Sequence, residues 1–178
     1  MVEKNNYHED ALRYNALYDE AQKSAREFNE LSRVHADACS HVKLAEDDAA
    51  RAIEEYRDAS AVLHSTARYI EELKRTGGSA SVISAAHEEF YKAYNKQQLA
   101  ASNLESAKSR VIKYRKKVEQ SQTQVLLAQN KVREIFDRFY DVARMIERKY
   151  GLKTNKNRLL KLPVVGDGEV SLEGIEKL

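Results

Sequence analysis

The stretch Lys74-Arg75-Thr76-Gly77-Gly78-Ser79-Ala80-Ser81-Val82 decides how this chain folds. It holds the first helix-breaking residues met from the N-terminal side. Seventy-six residues precede Gly77 without a glycine or proline, and 72 follow Gly78 before Gly151. Two long uninterrupted segments joined by a glycine pair predict two helices and one reversal. Asn5 and Asn6, with Glu9 and Asp10 in the first turn, mark a helix start. Ser79 or Ser81 caps the second helix, and Arg148-Lys149-Tyr150-Gly151 ends it with cations followed by a glycine suited to a left-handed cap. The predicted helices span about 6–76 and about 80–150, each roughly 105 Å long at 1.5 Å per residue. Helices of that length need a partner along their whole extent.

Hydrophobic spacing supplies the partner. Every seventh residue from Ile83 reads Ile83, Phe90, Gln97, Leu104, Val111, Val118, Val125, Val132, Phe139 and Ile146. Three residues after each comes a smaller side chain in most cases: Ala86, Ala93, Ala100, Ala107, Tyr114, Ser121, Ala128, Ile135 and Val142. In the first helix the rows are Tyr7, Tyr14, Ala21, Phe28, His35, Val42, Ala49, Tyr56, Leu63, Ile70 and Leu17, Ser24, Leu31, Ala38, Ala45, Ala52, Ala59, Thr66, Leu73. This 3-4 repeat is that of a coiled coil. Folding the chain back at Gly77–Gly78 sets large residues opposite small ones, as in Tyr56 with Ala100 and Ala45 with Val111. A narrow core then fills without voids. The same register brings Glu20 to Arg138, Glu27 to Lys131, Asp48 to Arg110 and Glu46 to Lys108, opposite charges each time. Two layers are polar: Gln97 faces Ala59, and His35 faces Ser121. The expected fold is all-α, a long antiparallel two-helix coiled-coil hairpin over 1–151 with its tip at 77–79.

From Leu152 the pattern changes. Leu159–Val165 and Glu169–Ile175 flank Gly166-Asp167-Gly168 and read as a short β-hairpin-like tail over 152–178. A lone two-stranded hairpin is marginal, so the tail is expected to dock at the base of the hairpin or on a partner. An aromatic cluster at the base, including Tyr14, Tyr18, Phe136, Phe139, Tyr140 and Tyr150, offers it a surface.

Composition narrows the function classes. A third of the residues are charged (33%), yet the formal net charge is only +2, so charge alone points to no acidic partner. Cys39 is the single cysteine, which rules out an internal disulfide. No apolar run reaches the roughly 18 residues of a membrane span, and the first residues lack the apolar core of a signal peptide. A cytoplasmic protein is expected, with signal-independent export left open. Catalytic signatures are missing: no phosphate-cradling glycine loop, no Gly-x-Ser-x-Gly, no Cys-x-x-Cys, no His-Glu-x-x-His, and no Glu-x-x-His pair for a di-iron site. His35 and Cys39 share one helical face, but the register sets Arg115 opposite Cys39, and a cation opposes metal binding. No enzyme activity, metal or cofactor is expected.

Binding surfaces remain. Tyr69, Gly77, Gly78, Tyr91 and Tyr94 mark the tip as a protein-contact candidate. Tyr14, Tyr18, Phe136, Tyr140, Leu160, Val164, Val165, Val170 and Leu172 form a candidate base and tail interface. The basic run Lys108, Arg110, Lys113, Arg115, Lys116 and Lys117 comes next. Within it Lys113, Lys116 and Lys117, and further along Arg148, Lys153, Lys156 and Arg158, are the candidate nucleic-acid contacts. The favoured expectation is a non-enzymatic structural or adaptor protein with binding ends about 100 Å apart. The alternatives are a nucleic-acid-associated accessory protein and a secreted or phage-derived effector or receptor-binding hairpin. The last rests on fold-level analogy with secretion-system stalks, bacteriocin receptor-binding arms and phage components. Leu12, Ile53, Val62, Leu99, Ile112, Leu126 and Leu127 lie outside or at the edge of the seam and suit either a homo-oligomer or an ordinary surface.

Overall fold

The computed structural model describes residues 2–151, 170–172, 175, 177 and 178, with the side chains described from residue 6 onward. It is an all-α helical hairpin. Helix α1 runs Val2–Arg75 and helix α2 runs Ala80–Tyr150, packed against each other. Helix α1 begins before Asn5 and Asn6, so those residues lie inside it rather than capping it. Nothing in Val2-Glu3-Lys4 stops a helix already supported downstream, and adding one residue to a formed helix costs far less than nucleating it.

The reversal is built by the glycines. Gly77 has φ of 75°, and Gly78 N–H donates to the Leu73 carbonyl at 2.8 Å. That six-to-one bond around a left-handed residue is a Schellman cap. Gly78 is needed for a different reason: a Cβ there would stand 3.2 Å from the Leu73 carbonyl oxygen and 3.3 Å from its side chain. Of the two candidate caps, Ser79 is the one that starts α2, since its carbonyl accepts from Ile83 N–H at 3.0 Å. At the far end Gly151, φ 68°, closes α2 with a bond from its N–H to the Glu147 carbonyl. A Gly77→Ala substitution places a Cβ in the left-handed region and should cost about 1 kcal/mol, read as a lowered urea midpoint. No loss would show that the turn relaxes without strain.

Every seam position named above is buried or half-buried except Tyr7. The chain divides into two compact units, Met1–Ala38 with Val118–Leu178, and Cys39–Lys117. In the Cys39–Lys117 unit the small seam residues are buried, among them Ala45, Ala52, Ala59, Ala86, Ala93, Ala100 and Ala107. Their large neighbours Val42, Tyr56, Leu63, Phe90, Leu104 and Val111 are only half-buried. Two helices cover an alanine completely but leave one side of a leucine or tyrosine to solvent. Gln97 donates to the Tyr56 hydroxyl at 3.4 Å, so that polar layer pairs with the tyrosine rather than standing only over Ala59.

The other unit is packed differently. Tyr14, Phe28, Val125, Val132, Phe139 and Ile146 are each less than 2% exposed. Their core cluster also holds Ala25, Phe136 and Ala143 from beside the seam, and Val170, Leu172 and Ile175 from the C-terminal segment. On that flank several residues four after a seam position are apolar: Ala11, Tyr18 and Ala25 in α1, Phe136, Ala143 and Tyr150 in α2. Three apolar positions per heptad on one side make a stripe too wide for a two-helix seam, and the C-terminal segment lies over it.

The expected β-hairpin is not seen in what is described. Its first arm and turn, 159–168, with Leu160, Val164 and Val165, lie outside the described residues. Val170, Ser171, Leu172 and Ile175 of the second arm adopt no strand. Val170 instead has its backbone N–H and carbonyl both satisfied by the Asn29 side-chain amide, at 2.9 Å each. An amide side chain therefore supplies the pairing that a neighbouring strand would have given.

Candidate interaction surfaces

The tip is defined by what the seam does not use. Ile70, Ala86 and Ala93 are buried while Tyr69, Tyr91 and Tyr94 are 51%, 63% and 45% exposed. Tyr91 and Tyr94 are three residues apart and share a face of α2. Phe90 meets the Tyr91 ring edge-on at 5.9 Å between centroids.

At the base, the sequence candidates separate by depth. Tyr14 and Phe136 are interior, at 1% and 3% exposure, whereas Tyr18 and Tyr140 are half-buried against the cluster. Tyr14 packs on Phe139 with centroids 4.8 Å apart. Burial, with smaller contributions from Tyr18 and Glu147, pushes the Tyr14 hydroxyl from its ordinary 10.0 up to about 12. Burial also raises Tyr140, against a small opposing effect of Arg144. The end of α2 is tied to α1 by Asp10, which accepts from Lys149 Nζ and from the Tyr150 hydroxyl at 2.8 Å each. These bonds, Lys149 first, lower the Asp10 carboxyl and raise Lys149. Tyr7 packs edge-on against Tyr150 at 5.1 Å.

A pH dependence follows. Tyr14 is held neutral in the fold above its unfolded pKa, so its contribution is complete below pH 10 and is lost as pH rises to about 12. The loss amounts to roughly 2–3 kcal/mol at 1.36 kcal/mol per pKa unit. Lys149, raised by Asp10, adds a loss of the same sign above its unfolded value of 10.5. A Tyr14→Phe chain should show a shallower fall in urea stability between pH 10 and 12. An identical slope would rule out Tyr14 as its source.

The C-terminal segment follows a line on α1 that the sequence reading missed. Asn29 clamps the Val170 backbone, and Asn15 holds Leu178 in the same way, donating to its backbone oxygen at 2.7 Å and accepting from its N–H at 2.9 Å. Lys177 bonds Asp19 at 2.8 Å and lies 5.9 Å over the Tyr18 ring. Between the segment and α1 is an open cleft of about 400 Å³ lined by Tyr18, Gln22, Ala25, Arg26 and the segment's Val170, Ser171, Leu172 and Ile175. A signal was present: Asn15, Gln22 and Asn29 are amides at seven-residue intervals, one after Tyr14, Ala21 and Phe28.

The charges mostly find partners within the protein. Arg138 reaches Glu20 at 2.9 Å, Lys131 reaches Glu27 at 2.8 Å, and Arg110 lies 3.8 Å from Asp48. Lys131 also lowers the Glu27 carboxyl. The expected Glu46–Lys108 pair does not form. Glu46 takes Arg115, one heptad along, through Nε at 3.2 Å and an Nη at 2.6 Å, while Lys108 bonds Glu105 on its own helix. Glu46 stands between two cations of the facing row, and a guanidinium fork holds a carboxylate by two bonds where an ammonium offers one point. Tyr114 stacks on His41 at 5.5 Å and carries Lys117 at 5.6 Å on its ring. Lys108, Arg110, Arg115 and Lys117 of the basic run are thus engaged. Lys113 and Lys116 are exposed. Arg148 lines an open hollow with Asp141, Arg144, Met145 and Lys149, and Lys153, Lys156 and Arg158 lie outside the described residues.

His35 Nδ1 is 2.9 Å from Ser121 Oγ, and Ser121 donates to the Val118 carbonyl at 2.9 Å. That proton is committed to the backbone, so the pair forms a polar seam layer and not an activated nucleophile. Cys39 is exposed. Among the described residues no group of three His, Cys, Asp or Glu is placed to hold a metal, and no helix is long and apolar enough to cross a membrane. No protein-family model, no curated protein and no solved structure matches this chain.

Proposed function

We propose that this chain is a non-enzymatic structural or adaptor protein that binds other proteins through its tip and its base. The exposure of Tyr91 and Tyr94 carries the reading. Apolar residues also stand exposed elsewhere on the helices, but Tyr91 and Tyr94 set two aromatic rings on one outer face of α2, 63% and 45% exposed, where the fold gains little from them. Exposed aromatic side chains bring large contact area at low conformational cost, which suits protein interfaces. The nucleic-acid reading is weaker, because much of the basic run is already neutralised by partners in the same unit, and phosphate binding draws on cations free to replace counterions.

The test is capture of partners from the native host's extract. Tyr91→Ala with Tyr94→Ala should remove one or more captured proteins, with unchanged helical content by circular dichroism. A capture profile identical to the unaltered chain, both for this variant and for one lacking 170–178, would refute binding through either end.

A further inference from the structure

The face of α1 between Asn15 and Asn29 is built like a receptor for an extended peptide. Each asparagine presents its amide so that one residue of the bound segment gives up both its N–H and its backbone oxygen. Such contacts read backbone and not side chain, as an added strand reads a sheet edge. Specificity comes from the apolar cluster, which buries Val170, Leu172 and Ile175 at 8%, 6% and 5% exposure. The two clamps are fourteen residues apart on α1, about 21 Å. The segment between them takes eight steps, which would span about 26 Å if extended. A turn in which Ile175 N–H donates to the Leu172 carbonyl at 3.1 Å takes up the difference. The cleft left between Leu172, Ile175 and α1 shows that the segment lies over the groove without filling it.

We propose that this groove is a peptide-binding site whose second occupant is the Val170–Leu178 segment of another copy of this chain. The proposal rests on the base being a protein-contact region and gives that region a partner. The segment that fits the two amides and the apolar cluster is the chain's own, so a second copy offers every contact unchanged. Exchange then costs only the difference in tethering, the circumstance in which swapped dimers form. Residues 152–169 set that difference. A short tether gives the chain's own segment an effective concentration in the millimolar range, so the unaltered chain at micromolar concentration keeps its segment to itself. Tyr150 is bonded to Asp10, and Asp10 to Asn29 is about 28 Å of helix. With 155–169 deleted, Val170 is five residue steps from Tyr150, about 18 Å at most, and the segment must go to another copy.

Two measurements on otherwise full-length chains decide it. In the first, Leu172→Asp releases the resident segment, and a fluorescent peptide with the sequence of residues 169–178 is titrated onto that protein. Saturable binding is expected, weakened at least tenfold by adding Asn29→Ala. A peptide N-methylated at its Val170 nitrogen, with every side chain intact, should weaken likewise. Absent binding, with helical content retained, overturns the site. In the second, light scattering on the chain lacking 155–169 should give a dimer or larger, and a monomer once 170–178 is also removed. A monomer in both cases overturns the second copy as occupant, even where the peptide binds. Should Leu172→Asp fail to fold, excess peptide on the unaltered chain should speed amide exchange of Val170 and Leu178, and unchanged exchange overturns the site. Because only this chain and its peptide are used, a negative result leaves host-partner capture at the tip standing.

Discussion

Replacing Phe139 by alanine should destabilise the protein by about 3–5 kcal/mol, whereas Leu104→Ala should cost about 1–2 kcal/mol. Both residues occupy the same bulky row of α2, so a uniform coiled coil would charge similar amounts for each. They differ in what surrounds them. Phe139 is 1% exposed and lies against Tyr14 and Tyr18, in a cluster that the C-terminal segment completes. Deleting its ring leaves a cavity walled on all sides, and the cost of a cavity grows with how little its walls relax. Leu104 is half-buried between two helices only. Part of its surface is already wet, and truncation opens a notch that water fills. Urea unfolding followed by far-ultraviolet circular dichroism will show the difference, with Gly77→Ala as a small-effect reference. Equal losses at the two positions would mean that the third element contributes little to the core.

The contrast explains which parts of the molecule were legible in its sequence. Seam positions repeat every seven residues, and a helix converts that period into a face without help from the rest of the fold. The rows from Tyr7 and Ile83 are therefore readable by counting, and so is the reversal, because Gly77 has a backbone conformation that other residues avoid. Ion pairs were legible only as far as the row. Glu46 faces two cations a heptad apart, and side-chain reach, not sequence spacing, selects Arg115. The path of residues 170–178 was the least legible. Asn15 and Asn29 recognise peptide groups, which every residue carries, so the segment itself bears no matching pattern. Its imprint is on the receptor, in the amide row and in the extra apolar positions Tyr18, Ala25, Phe136 and Ala143. For the tip, the sequence shows that Tyr91 and Tyr94 leave the seam, but a partner's identity is a property of the partner's surface.

Leu172→Asp should detach the C-terminal segment while both helices persist. Leu172 is 6% exposed within the cluster, and a carboxylate there would lose its hydration among apolar side chains. An unpaired buried charge costs several kcal/mol. Among the described residues, three buried side chains, two amide clamps and the exposed Lys177–Asp19 pair hold the segment. Letting go of these costs less than keeping the charge inside, since both clamp asparagines recover hydrogen bonds from water. The expected result is loss of amide-exchange protection at Val170 and Leu178, with helical content unchanged. The Met1–Ala38 with Val118–Leu178 unit should lose about 3 kcal/mol or more, the scale of an uncovered core. Lys177→Ala is the control. Its ion pair is solvent-exposed, with side chains 51% and 58% accessible, so its loss should change stability by less than about 1 kcal/mol and leave the segment in place. A Leu172→Asp chain that kept full protection at both clamps would show that backbone bonding alone holds the segment and that apolar burial is incidental.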